Sequence, residues 1–175
     1  MNVFIGLSSS TKLNINYYNL AKEVGTILTD LNYNLICGST ELGMAKIISD
    51  IFNKKTSINL FIHNKYKNEI KDLDINYILC DSNFDRLKKI YEKSDIYVIL
   101  PGGIGTLSEL FGILEEIRDT NKKIILFNYN SYYNYLIEFI EMGVKEKFIK
   151  EKDYKGIRVV KNIDEFKKEV INYER

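Results

Sequence analysis

Pro101-Gly102-Gly103-Ile104-Gly105-Thr106-Leu107-Ser108-Glu109 is the stretch of the chain whose residue types and spacing point most directly to chemistry. It follows the apolar run Ile96 to Leu100 and opens straight into a segment of helical period. Gly102, Gly103 and Gly105 let backbone N–H groups approach a ligand, because no Cβ stands in the way. The first N–H groups of a helix lack intrahelical partners and carry the positive end of its dipole, so the turn favours a phosphate. Thr106 adds a hydroxyl donor. No lysine follows the glycines as in a Walker loop, and the GxGxxG dinucleotide fingerprint is absent, the first turn reading Leu7-Ser8-Ser9-Ser10. Thr106-Leu107-Ser108-Glu109 also fits a capping box, with Thr106 capping the helix and Glu109 reaching back. Spacing alone leaves Glu109 open between that cap and a carboxylate aimed at a ligand.

The elements that must position these residues alternate. Val3 to Leu7, Leu35 to Cys37, Ile58 to Ile62, Tyr77 to Cys80, Ile96 to Leu100, Ile124 to Phe127 and Ile157 to Val160 read as strands. Between them lie helical stripes. Leu20, Ala21, Val24, Ile27, Leu28 and Leu31 form the first, with Asn14 or Asn16 as its N-cap, and Met44, Ile47, Ile48, Ile51 and Phe52 the second. Phe84, Leu87, Ile90 and Tyr91 form a third. Further helices run from about Thr106 to Asp119, about Tyr132 to Met142, and Asp164 to Tyr173. The polar segment from Asn64 to Asp74 has no clear period. Strand and helix in strict alternation imply parallel strands with right-handed crossovers, hence an α/β, Rossmann-like doubly wound sheet with helices on both faces. No linker or repeat divides residues 1–175, so one nucleotide-binding domain is expected. Ligands of such sheets bind beyond the carboxyl ends of the strands, which singles out the turns after Leu7, Cys37, Cys80 and Leu100. Ser9, Gly38 and Ser39 are the candidates on the first two.

Composition narrows the classes. With 175 residues the chain buries about 70% of the surface it exposes when unfolded, so it needs no staple. Lys+Arg 25 against Asp+Glu 24 gives a net charge of +1, which argues against nucleic acid and a membrane surface as partners. Cys37 and Cys80 each close an apolar run and read as small buried hydrophobes. His63 is the one histidine, so no metal site is expected. No apolar run reaches the ~18 residues of a membrane span and the start, MNVFIGLSSS, lacks a signal pattern. A cytoplasmic location is the expectation.

Pro101 to Glu109 resembles the PGGxGTxxE motif of the LOG ("Lonely Guy") family, the cytokinin riboside 5′-monophosphate phosphoribohydrolases, often mislabelled as lysine decarboxylases. Asp81-Ser82-Asn83-Phe84-Asp85-Arg86 is similar to the family's segment ending in its catalytic arginine. Arg86 keeps the family's spacing of fifteen positions before Pro101, and Asp95 matches the Asp before the strand. Asn128-Tyr129-Asn130-Ser131-Tyr132-Tyr133, with Leu136 and Phe139 beyond, resembles the family's N-x-x-G-Y-Y stretch. The likeness spans roughly residues 3 to 150. The chain departs from the family at Gly38-Ser39-Thr40-Glu41-Leu42-Gly43-Met44-Ala45, where a glycine triplet and GLMG are usual. It departs again at Leu87, usually Lys, and at Ser108, usually the first of two glutamates.

What the resemblance implies is cleavage of the N-glycosidic bond of a nucleoside 5′-monophosphate, AMP-like or a cytokinin riboside monophosphate, into free base and ribose 5-phosphate, with no cofactor. Such bond breaking leaves positive charge on the ribose, and a preorganised carboxylate would stabilise it. Glu109 takes that role by resemblance, and Arg86 is implied as its catalytic partner. Position alone reads Arg86 as a surface arginine, although its fork suits phosphate or ribose oxygens. The family also implies a homodimer, and the aromatic stretch Tyr129, Tyr132, Tyr133, Tyr135 and Phe139 reads as either core or interface. Two alternatives stay open. One is a non-catalytic module that senses or sequesters a nucleotide or NAD-derived signal, and the other is a base-exchanging transferase.

Overall fold

The computed structural model describes residues 1–38, 41–69 and 75–173. The chain begins with β1 (Asn2–Gly6), α1 (Ile15–Asp30), β2 (Asn34–Cys37), α2 (Gly43–Asn53) and β3 (Ile58–His63). A 3-10 turn (Asn64–Glu69) leads to β4 (Asn76–Cys80), α3 (Asn83–Lys93), β5 (Ile96–Ile99) and α4 (Ile104–Ile117). After β6 (Ile124–Phe127) come a second 3-10 turn (Tyr129–Ser131), α5 (Asn134–Lys145), a single helical turn α6 (Glu151–Tyr154), β7 (Ile157–Val160) and α7 (Ile163–Tyr173).

Among the described residues all the strands join one parallel sheet in the order β4-β3-β2-β1-β5-β6-β7. The period-2 alternation of each strand sends side chains to two cores. Val3, Ile5, Leu35 and Val98 pack under α1, α2 and α7, where Leu28, Phe52 and Phe166 are buried. Phe4, Ile36, Phe61, Tyr97 and Ile99 pack under α3, α4 and α5, where Ile90, Leu110 and Ile140 are buried. Helices therefore cover both faces, as the alternation requires. Every residue of β5 is buried, which explains its unbroken apolar run.

Local chemistry sets the helix starts. The Asn14 side chain accepts from the Asn16 N–H at 3.0 Å and caps α1. Ser82 accepts from the Asp85 N–H at 3.0 Å and caps α3, while the Asp85 carboxylate accepts from the Asp81 N–H at 3.0 Å. The hydrogen bond and charge of Lys89 hold the Asp85 carboxyl below its ordinary range. The helix expected from Thr106 starts instead at Ile104 with Gly103 as N-cap, so no capping box forms there. The helix expected from Tyr132 starts at Asn134, because Asn130 (φ 51°) and Ser131 (φ 60°) are left-handed and break the helical path before it. The ambiguous segment gives the 3-10 turn, with residues 70–74 outside the described ones. Among the described residues no helix is long and apolar enough to cross a membrane.

Strand order reverses at β1. The chain winds outward through β2, β3 and β4, then returns to the other side of β1 to lay down β5. The crossovers on the two sides of that point diverge, leaving a crevice at the carboxyl ends of β1 and β5.

Candidate functional site

That crevice is a cavity of about 630 Å³, walled by the turns after β1, β2, β3 and β5 and by the first turns of α3 and α4. Gly43 (φ +59°) allows its floor. A Cβ there would meet the Ser9 backbone at 2.7 Å, so only glycine lets the serine turn lie against the start of α2, where the Met44 N–H donates to the Ser8 carbonyl at 3.2 Å. Ser8, Ser9 and Ser10 then line the cavity opposite Gly103 and Gly105.

At the glycine turn the first intrahelical bond runs from the Leu107 N–H to the Gly103 carbonyl at 3.0 Å. The N–H groups of Ile104, Gly105 and Thr106 lie ahead of it, at the positive end of the α4 dipole. A Cβ built on Gly103 or Gly105 would meet nothing within 4 Å, so both glycines leave open space where a ligand can approach the backbone. Gly102 differs. It is buried outside the cavity wall, and a Cβ there would overlap the Thr106 side chain. The Thr106 hydroxyl donates to the Leu7 carbonyl at 3.0 Å, tying α4 to the end of β1, so its hydrogen is spent on the protein and the backbone amides are the donors left for an anion.

Glu109, on the sixth residue of α4, faces Arg86 on α3. Arg86 Nη1 lies 3.1 Å from Glu109 Oε1, and the two side chains are only 19% and 15% exposed. Packing of α3 on α4 produces this meeting. The missing Cβ of Gly112 admits the Leu87 side chain, so the leucine at a usual lysine position serves the helix contact. Gly38 closes the roof, since a Cβ there would overlap the Arg86 guanidinium, and a Cβ on Gly6 would come within 3.4 Å of Glu109 Oε2. Burial pushes the Glu109 carboxyl above its ordinary range, and the adjacent Arg86 charge and hydrogen bond pull it only part of the way back. The pair is thus a shielded carboxylate held in one geometry, with its oxygens at the cavity wall.

A second latch lies behind the turn. The Tyr133 hydroxyl donates to the Leu100 carbonyl and the Tyr132 hydroxyl to the Gly102 carbonyl, each at 2.8 Å. Asn128 Oδ1 accepts from the Tyr133 N–H at 2.8 Å and Nδ2 donates to Asn134, fixing the start of α5. The stretch read as core or interface therefore divides, Tyr132 and Tyr133 holding the glycine turn and Tyr135 and Phe139 facing outward.

The structure gathers Arg86, Glu109, Gly38, Ser9, Gly103, Gly105 and Thr106 around one cavity. Ser39 lies outside the described residues. Asp95 is at the opposite end of the sheet, where its carboxylate accepts from the Asn2 N–H at 2.7 Å and joins β5 to β1. Ser8, Ser10, Asn83 and His63 also line the cavity, although the sequence reading did not single them out as site residues. Their position at the carboxyl ends of β1 and β3 and at the start of α3 was the available signal.

The family model described as "Possible lysine decarboxylase" matches residues 44–170. Cytokinin riboside 5′-monophosphate phosphoribohydrolase LOG1 of Arabidopsis thaliana is 31% identical over 152 residues, 84% of this chain and 70% of that one. LOG7 of the same plant is 26% identical over 177 residues, 98% of this chain and 81% of its own. The solved molybdenum cofactor binding protein of Rippkaea orientalis shares the fold, with a TM-score of 0.74 at 14% identity over 99% of this chain and 97% of that one. A pyridoxal decarboxylase needs a Schiff-base lysine, and among the described residues no lysine lines the cavity, so these side chains do not fit that cofactor. By its family model, its relatives and the co-linear PGG, Arg86 and Glu109 motifs, the chain belongs to the LOG family.

Proposed function

We propose that the protein hydrolyses the N-glycosidic bond of a nucleoside 5′-monophosphate, AMP-like or a cytokinin riboside monophosphate, giving free base and ribose 5-phosphate. The observation that carries this reading is the shielded Arg86–Glu109 pair beside an open helix N-terminus in one cavity. The names of the LOG relatives support it.

The 5′-phosphate is held by the amides of Ile104, Gly105 and Thr106, with the hydroxyls of the serine turn across from them. The sugar then lies over Glu109. As the C1′–N bond breaks, its electron pair leaves with the base and positive charge spreads over C1′ and the ring oxygen. Ionised Glu109 stabilises that charge and accepts a proton from the water that adds to C1′, the departing base nitrogen takes up a proton from solvent, and Glu109 then releases its own proton to solvent. The charge and hydrogen bond of Arg86 oppose the effect of burial on the Glu109 carboxyl, and Arg86 offers its remaining N–H groups to ribose or phosphate oxygens. Such a preorganised charge is worth about 10²–10³ in rate. Glu109→Gln is expected to lower kcat for base release by about that factor while its thermal unfolding stays near wild type. Retention of the wild-type rate would remove Glu109 from the mechanism.

Residues 1–175 act as one nucleotide-binding domain, in the cytoplasm and as a homodimer, in this reading. Tyr135, Phe139 and Met142 recur at i, i+4 and i+7 on α5 and are 85%, 59% and 55% exposed, an apolar stripe that a second copy would cover.

A further inference from the structure

We propose that His63 is a further catalytic residue, a neutral imidazole whose Nε2–H steadies the base as it leaves, an inference that rests on the hydrolase reading above. Alternation along β3 gives the direction of its side chain. Ile58, Leu60 and Ile62 pack with the core under α1, α2 and α7, and Phe61 with the core under α3, α4 and α5. His63, two residues past Phe61, therefore leaves the strand on the side of α3 and Arg86. It lines the cavity together with Arg86 and Glu109. The register pairs Cys37 with Leu60, which sets Gly38 level with Phe61. With about 3.3 Å of rise per residue and about 4.8 Å between strands, the His63 Cα stands about 8 Å from that of Gly38, the residue against the Arg86 guanidinium. A nucleotide held by its phosphate at α4, with its sugar beside Glu109, runs on along the order β5-β1-β2-β3 and brings its base to His63.

The backbone fixes the tautomer. The Lys65 N–H donates to His63 Nδ1 at 3.1 Å. A ring nitrogen that accepts carries no proton, so in this arrangement the ring is neutral and its proton is on Nε2, across the ring from that backbone contact. A protonated ring would set a second N–H against that of Lys65, and a neutral ring that gave up its proton would become an anion. His63 is therefore a fixed donor and not the acid that protonates the base. When the C1′–N bond breaks, its electron pair passes to the base and spreads over the ring nitrogens, which become stronger acceptors. A hydrogen bond from Nε2 to one of them is then stronger in the transition state than with the intact nucleotide, and it raises kcat rather than affinity. His63 keeps its proton throughout, and the base takes its own from solvent. Glu109 meets the charge on the sugar side of the breaking bond and His63 the charge on the base side.

The test separates the roles of the two ring nitrogens. Glutamine carries an N–H donor out to the reach of Nε2, whereas asparagine is shorter and offers its oxygen where Nδ1 accepts from Lys65. Adenine release from AMP is followed in wild type, His63→Ala, His63→Gln and His63→Asn, giving kcat and KM, with thermal unfolding of each. His63→Ala is expected to lower kcat by about 10² while KM stays within about threefold of wild type. His63→Gln should recover to within about tenfold of the wild-type kcat, and His63→Asn should stay as slow as His63→Ala. Where His63→Ala fails to fold, the comparison of His63→Gln with His63→Asn decides alone. A loss carried by KM with kcat held would overturn the proposal. So would recovery in His63→Asn and not in His63→Gln, the mark of a ring needed only to hold the turn at Lys65. Adenine released at the wild-type rate by all three variants sinks this inference and leaves the hydrolase reading standing. AMP bound and left intact by the wild type sinks the hydrolase reading, and this inference with it.

Discussion

Glu109 shows how one residue can be legible in type and ambiguous in role. The spacing Thr106-x-x-Glu109 suits a cap, yet the helix begins at Ile104 with Gly103 as its cap, three residues before Thr106, which moves Glu109 past the reach of the capping position and toward Arg86. Where a helix starts in a glycine-rich turn is set by contacts distant in sequence, here the Thr106 hydroxyl on the Leu7 carbonyl, that no local pattern records. Arg86 was legible only through resemblance, because its burial depends on α4 lying beside α3. The pH dependence follows from the pair. Glu109 must be ionised to act, and burial sets its carboxyl above the ordinary range, so the acid limb of kcat/KM lies above that of an exposed glutamate. Arg86→Gln removes the lowering influence and should move this limb to higher pH, whereas Arg86→Lys keeps the charge and should move it less. A limb that does not move, or moves down, would show that Arg86 does not tune Glu109. Gly38→Ala is a steric counterpart. Its methyl overlaps the guanidinium and should lower kcat by driving Arg86 off the carboxylate.

At the scale of elements, the glycine turn is held from outside itself. Tyr133 is 2% exposed and donates to the buried Leu100 carbonyl across 33 positions of sequence. Tyr133→Phe leaves that carbonyl unpaired and should cost about 1–3 kcal/mol in urea or thermal unfolding. Tyr132→Phe should cost less, since Tyr132 is 47% exposed and water can reach the Gly102 carbonyl. Equal costs would contradict this division. Sequence showed these tyrosines only as aromatic and left them between core and interface, because hydroxyl partners appear only once α5 is laid beside the turn. Strands and long helices were legible from periodicity to within one to three residues, the largest difference being the end of α5 at Lys145 rather than Met142. The single turn α6 was not, being too short to repeat a period.

For the whole molecule, alternation was enough for a parallel, doubly wound sheet, but it did not contain the strand order. Order depends on which side of β1 the chain returns to after β4, and that return places the crevice between β1 and β5. Assembly belongs to this scale as well. Phe139→Asp puts a charge in the middle of the exposed α5 stripe and should convert a dimer to a monomer in sedimentation at micromolar concentration, with the melting temperature little changed. Wild type sedimenting as a monomer would contradict the dimer. The central claim is that one cavity holds a nucleotide by its phosphate and severs the base from the sugar. Its most direct test is to incubate the wild-type protein with AMP and separate the products. Equimolar adenine and ribose 5-phosphate are predicted, whereas AMP bound and left intact, or adenosine with inorganic phosphate, would contradict it.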